Sequence, residues 1–248
     1  MKSKKIVLLF SASLVVALFF SACNKSDPNS PTSLDKSSTV ILKANGKTAT
    51  NINSIASANG NLSLSTFNIS LSKINIQENS GFDGEQTGEN NDGGSNNGDT
   101  EAPDILLNGP FTFNIASGSV DVGTFAVYPG TFKQVDLNFF TDVNPPFNGN
   151  SLFVNGDFVK SNGNVIPFVL QSKFSNTFQT LISGTGITVT QNSTVPVTIM
   201  FDFDKMFANI NFDSATITNG TIIIDETNNS SLLQSFENNL NNSVELED

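Results

Sequence analysis

The stretch VPVTIMFDFD, residues 195–204, sets Val195, Val197, Ile199, Phe201 and Phe203 in alternation with Pro196, Thr198, Met200, Asp202 and Asp204. A period of two puts the first set on one face of an extended chain and the second on the other, the pattern of a half-buried β-strand. The same period recurs on both sides of it. Phe67, Ile69 and Leu71 alternate, and Ile74 and Ile76 then change phase, so a bulge is expected near Ser72. Phe111, Phe113 and Ile115 form another such run, as do Val135, Leu137 and Phe139. Residues 151–159 and 165–171 flank Ser161-Asn162-Gly163-Asn164, a hairpin signal, and residues 221–225 read as a short buried strand. Helical signal is sparse. Asp204 is placed to cap a single turn over residues 205–208. Leu232, Leu233, Phe236 and Leu240 predict an amphipathic helix over residues 231–241, with a frayed acidic tail as the alternative. Many short strands divided by glycine and asparagine turns predict an all-β chain, an antiparallel β-sandwich over residues 38–228 with a helix or tail at 229–248.

The first 22 residues are built differently. Lys2, Lys4 and Lys5 precede an apolar run from residue 6 to 20, and Ser21-Ala22-Cys23 follows. That is the basic region, apolar core and small-residue cleavage site of an export signal. Fifteen residues are too few for a spanning helix, which needs about 20. With the only cysteine of the chain directly after Ser21-Ala22, the segment resembles a bacterial lipobox, which implies lipidation of Cys23 and cleavage in front of it. Residues 23–37, polar and with two prolines, read as a flexible tether. An acylated Cys23 then ties the chain to a membrane, and Asn24 in place of aspartate favours the outer membrane or cell surface.

Cleaved there, the chain keeps nine lysines against 23 acids, a formal charge of −14. It contains no arginine, histidine or tryptophan. Without guanidinium forks or a basic stripe, nucleic acid is excluded as a partner, and so is charge-driven attachment to anionic lipid. Without histidine there is no imidazole base and no histidine metal ligand, and a lipidated cysteine offers no thiolate. No disulfide is available, so the apolar core alone must hold the fold.

Three chemistries remain open. Asp202 and Asp204, if both lie on one strand, share a face about 7 Å apart. That spacing suits paired-carboxylate hydrolysis and equally describes any solvated strand face. Asp83, Glu85, Glu89, Asp92 and Asp99 fall within the glycine- and asparagine-rich stretch 81–103, which reads as a long acidic loop. Oxygen ligands at that density admit calcium, though neither the EF-hand nor the RTX spacing is present. A sugar platform usually presents tryptophan or tyrosine; here Tyr128 stands alone and the phenylalanines occupy core spacing, which leaves a sugar site only to the polar loops. The composite expectation is a lipid-anchored module for binding, adhesion or scaffolding, without catalysis or a cofactor, whose partner is a protein or an envelope polymer. The alternative is a calcium- or glycan-binding module that uses residues 81–103.

Several motifs carry a resemblance. The run from Val127 through Tyr128-Pro129-Gly130-Thr131-Phe132 to Val135 resembles a P-G-T-Y-x-x-V signature of uncharacterised bacterial lipoproteins. Residues 151–158 with Pro167-Phe168 resemble their Y-x-x-G-T-F … P-F hairpin, residues 197–207 their T-I-x-F-D-x-x-x-W-F strand end, and residues 229–240 their N-x-x-L tail. Phe132 stands where that family has tyrosine, and Met206 where tryptophan is common. The resemblance runs from Val40 to Asp248 and implies a transthyretin- or immunoglobulin-like sandwich. It brings no established activity, so it assigns no functional residue. Pro129-Gly130 is expected to be a structural turn, with proline fixing φ and glycine free to take a positive one.

The lipobox reading makes a direct prediction. Globomycin treatment should leave uncleaved precursor on a blot, and the substitution Cys23→Ala unlipidated, uncleaved precursor; unchanged processing in both would refute it.

Overall fold

The computed structural model describes residues 36–48, 55–57, 60–78, 104–182 and 186–247. The segment 1–22, Cys23 with the tether to residue 35, and the acidic stretch 81–103 lie outside the described residues. The strands are β1 (Ser38–Lys47), β2 (Ile55–Ser57), β3 (Gly60–Gln77), β4 (Ile105–Asn114), β5 (Val120–Val127), β6 (Gly130–Phe132), β7 (Gln134–Phe139) and β8 (Leu152–Lys160). After these come β9 (Val165–Ser172), β10 (Thr177–Leu181), β11 (Ile187–Val189), β12 (Thr194–Asp202), β13 (Ile217–Thr218), β14 (Thr221–Ile224) and β15 (Val244–Glu247). Two helices, α1 (Phe203–Met206) and α2 (Ser230–Leu240), accompany them. The chain is an all-β sandwich, as its periodicity predicts.

A four-stranded sheet runs β15-β12-β1-β5 and faces a nine-stranded one ordered β10-β7-β3-β8-β9-β14-β13, with β2 and β4 also paired to β3. The long strand β3 is the spine of the larger sheet. Asn68 and Ile69 pair with β4 and β8 at once, and Leu71 and Ile74 with β4 and β7 at once. Two strands therefore follow one another along one edge of β3, while β2 and β4 take the other. The pairing of β3 slips between Leu71 and Lys73, which places the bulge at Ser72, where the change of phase puts it. The β8–β9 hairpin also forms over the expected turn, with Gly163 at φ +86°.

Not every pair is antiparallel. β1 and β12 run parallel from Thr39↔Thr194 to Lys47↔Asp202, and β14 runs parallel to β9. A parallel pair requires a long crossover. Between β1 and β12 that crossover is the larger sheet itself, a connection that no local pattern announces.

The alternating stretch is a strand only as far as Asp202. Phe203 opens α1, and Asp202, not Asp204, is its N-cap: Asp202 Oδ1 accepts the Lys205 backbone N–H at 3.1 Å. Alternation hid this because Phe203 is buried by a different route, its ring stacked on Phe67 with centroids 5.1 Å apart. Gly46, across the ladder from Phe201, makes room for it; a Cβ there would lie 2.1 Å from the Phe203 ring and 2.8 Å from the Ile115 carbonyl oxygen. Met200, on the expected outer face, is buried as well.

The C-terminal segment is part of the sandwich rather than an appendage to it. Leu232, Leu233, Phe236 and Leu240 turn one face of α2 into the core. Asn239 Nδ2 donates to the Met206 and Ala208 carbonyls at 3.0 and 2.9 Å, satisfying acceptors left open where α1 ends. The chain then returns as β15, antiparallel to β12 from Phe201↔Val244 to Thr198↔Glu247. Phe236 lies 6.2 Å from Phe67 and 5.2 Å from Phe207, and Phe207 continues the contact to Phe212 and Phe168.

Removing Phe236 empties the centre of this ring network. Phe236→Ala should lower unfolding free energy by about 3–5 kcal/mol in urea titration, and Gly46→Ala should also destabilise although it adds only one methyl. A Phe236→Ala loss below about 1 kcal/mol would show that the rings do not set the stability of the fold.

Candidate functional site

The two carboxylates singled out by spacing fall at a charged corner of the smaller sheet. Lys47 Nζ at the end of β1 lies 3.0 Å from Glu245 Oε2 and 3.2 Å from Glu247 Oε1 on β15. Lys205 Nζ pairs with Glu245 Oε1 and stands 3.7 Å from Asp202 Oδ2. A shallow depression of about 420 Å³ is lined by Lys47, Thr48, Asp202, Asp204, Lys205 and Ala208. Asp202 and Asp204 are therefore not alternate residues of one strand. The first is engaged by a helix cap and an ion pair, and the second sits in the first turn of α1. Hydrogen bonds from Lys205 and then Lys47 hold the Glu245 carboxyl below the usual carboxylate range. The hydrogen bond to Glu245 likewise raises Lys47, against the opposing effect of burial. This is the electrostatics of a clasp between β1, β12 and β15. Asp225 is shifted down for a local reason. Burial would raise it, but hydrogen bonds from the Asn228 and Thr227 side chains and backbone outweigh that in an Asx turn ahead of α2.

The proposed calcium ligands Asp83, Glu85, Glu89, Asp92 and Asp99 lie outside the described residues. Among the described residues no three potential metal ligands come together, and no helix is long and apolar enough to cross a membrane. At Pro129-Gly130 the geometry differs from the expected turn. The chain bends at Pro129, but Gly130 is the first residue of β6, paired with Val189, and does not take a positive φ. The motif redirects the chain from the smaller sheet into the β6–β11 ribbon.

A concave surface forms where the ladder of the larger sheet opens. Opposite Ser72, β4 inserts two residues, Gly109 and Pro110, between the pairs Leu71↔Phe111 and Lys73↔Asn108. The loop from residue 140 to 150 runs beside this break. Its backbone is fixed by hydrogen bonds: Phe140 N–H to the Ser70 carbonyl at 3.3 Å, Asp142 N–H to Asn150 at 2.9 Å, and Phe147 N–H to Asn144 at 3.0 Å. Phe147 is buried beneath it. Two adjoining clefts result, about 420 and 410 Å³, which share Pro110, Asp142 and Asn144. Each is within the rough 300–1,000 Å³ range of ligand sites.

The lining of this groove mixes apolar surface with polar groups and is nearly uncharged. Ser72, Phe140 and Thr141 line one end, and Asn68, Thr112 and Phe113 line the other, with Asp142 the only ionisable group among the lining residues. Asp142 is held in place by Asn144, whose backbone N–H and Nδ2 both donate to Oδ1, at 2.9 and 2.8 Å. Its second oxygen is not used in these bonds. Periodicity could not reveal the groove. Asn144-Pro145-Pro146 reads as a turn, and nothing local says that the turn folds beside β4. The phase change at Ser72 was its one trace.

Comparison with protein-family models, with curated proteins and with solved structures finds no match to this chain.

The charged corner predicts a pH dependence with a defined sign. A carboxyl lowered on folding stabilises the fold above its unfolded value, near 4.5, and that contribution disappears as pH falls through the lowered folded value. A raised lysine stabilises below 10.5 and loses its contribution as pH climbs through the raised value. Glu245 is partly exposed, so screening limits its contribution to about 1 kcal/mol or less. Glu245→Gln should therefore be less stable than wild type at pH 7, and the difference should shrink as pH falls below 4.5; a difference that does not shrink on acidification would assign the loss to packing.

Proposed function

We propose that this chain is a lipid-anchored module of the bacterial cell envelope that binds a partner without chemical turnover. The observation that carries the anchor is the order of residues 2–23: three lysines, a short apolar run, and the sole cysteine directly behind Ser21-Ala22. Diacylglycerol on the Cys23 sulfur together with an N-terminal acyl chain exceeds the two attachment signals that stable anchoring requires. The stretch from Asn24 to Ser37 that joins this cysteine to the sandwich is polar and carries two prolines. The outer membrane or cell surface is the site of action, and the partner is a protein or an envelope polymer.

The groove between β4 and the 140–150 loop supports the binding part of this reading. It combines a fixed carboxylate, amides and hydroxyls with apolar surfaces from Phe140 and Pro110. Binding sites join apolar walls to a few placed polar groups in this way. The charged corner, by contrast, is satisfied within the chain.

Protease shaving of intact cells tests the reading. The expected outcome is loss of the sandwich from the cell blot while an inner-membrane lipoprotein control survives, with mass spectrometry finding acylated Cys23 as the first residue. A protected protein, or an unmodified thiol at Cys23, would overturn it.

A further inference from the structure

We infer that the groove beside the Ser72 bulge is a binding site for a neutral oligosaccharide, a segment of an uncharged envelope or host polysaccharide. The inference rests on the binding-module reading and goes further by naming the ligand class. Its basis is the juxtaposition of Asn68, Thr112 and Asp142 with the half-buried ring of Phe140, across clefts joined at Pro110.

Each side chain matches a feature of a sugar. The Asp142 carboxylate and the Asn68 and Asn144 amides can bridge neighbouring hydroxyls, which both donate and accept. A carboxylate with one oxygen already held by Asn144 presents the other in a fixed direction. The side-chain amide of Asn68 and the hydroxyl of Thr112 have no partner among the described residues. Phe140 and Pro110 supply flat apolar surface for the C–H face of a ring.

Other ligand classes fit the same surface poorly. No lysine lines either cleft, so an anionic ligand would meet only the negative Asp142. One carboxylate is too little for calcium, which takes six to eight oxygens. An added peptide strand needs an unbroken row of backbone donors and acceptors, and Pro110, which has no N–H, sits at the break in β4.

The test uses the full lipidated chain in amine-oxide micelles, which contain no sugar. Cellotriose, maltotriose, mannotriose and triacetylchitotriose are the probes, with a sulfated heparin fragment and an extended peptide as contrasts. At least one neutral trisaccharide should shift the amide resonances of Asn68, Thr112, Asp142 and Asn144 in a saturable way. Asp142→Asn and Thr112→Ala should each raise its Kd, the first by about tenfold or more, as expected for a lost hydrogen bond to a charged group. Lys173→Ala, on an exposed side chain outside the groove, should leave Kd unchanged. If Asp142→Asn fails to fold, Thr112→Ala, an exposed hydroxyl, decides the matter alone. No shift with any of the four sugars, or shifts whose affinity ignores both groove variants, would overturn the inference. Saturable shifts of these amides by the peptide alone would also overturn it while leaving the binding-module reading intact. That reading falls on its own evidence, an unacylated or protease-protected chain.

Discussion

Phe67, Phe203 and Phe236 meet where β3, the end of β12 and α2 converge, and the close packing of these rings is the constraint that the rest of the fold obeys. A chain with a single cysteine has no covalent cross-link within the sandwich, so burial must supply its cohesion. The rings link elements distant in sequence, and through Phe207 and Phe212 they reach Phe158 and Phe168 on β8 and β9. Gly46 belongs to this arrangement although it contributes no side chain. Its missing Cβ is what lets the Phe203 ring lie where it does, and that in turn obliges the strand to end at Asp202.

Once the rings are placed, the polar groups around them follow. Asp202 is left at a helix start and caps it, while Asn239 reaches back to the carbonyls at the other end. Asn229 joins the segment before α2 to the Thr216 backbone and the Ile223 carbonyl. The clasp of Lys47, Lys205 and Glu245 then secures β15 at the sheet edge. These interactions specify position more than they add stability, because exposed ion pairs contribute little in water. An acidic pair that resembles catalytic carboxylates in sequence is thereby engaged in structure.

The groove arises from the opposite situation, a place where regular pairing fails. Ser72 on β3 faces two residues on β4, one more than a regular ladder holds, and the pairing is interrupted there. Bulges often re-aim side chains beside functional sites, and this one leaves Asn68, Thr112 and Asp142 around a shared space. The adjacent loop is braced by its own backbone hydrogen bonds.

How much of this was legible beforehand depended on the range of the interaction concerned. Alternation around Phe67, Val135 and Val197, the Asn162-Gly163 turn, the phase change at Ser72 and the apolar stripe of α2 all arise within a few residues. Backbone geometry makes them readable, since side chains alternate on a strand and recur every third or fourth position on a helix. Composition likewise set limits: without arginine, histidine or a second cysteine, whole classes of chemistry were closed to any fold of the chain. The parallel partnership of β1 with β12, the start of the helical turn at Phe203 under an Asp202 cap, the return of β15 and the groove at residues 140–150 were decided only by tertiary structure. Each depends on a contact between segments far apart in the chain, and the energy of such a contact is a property of the packed whole that no local window of residues contains.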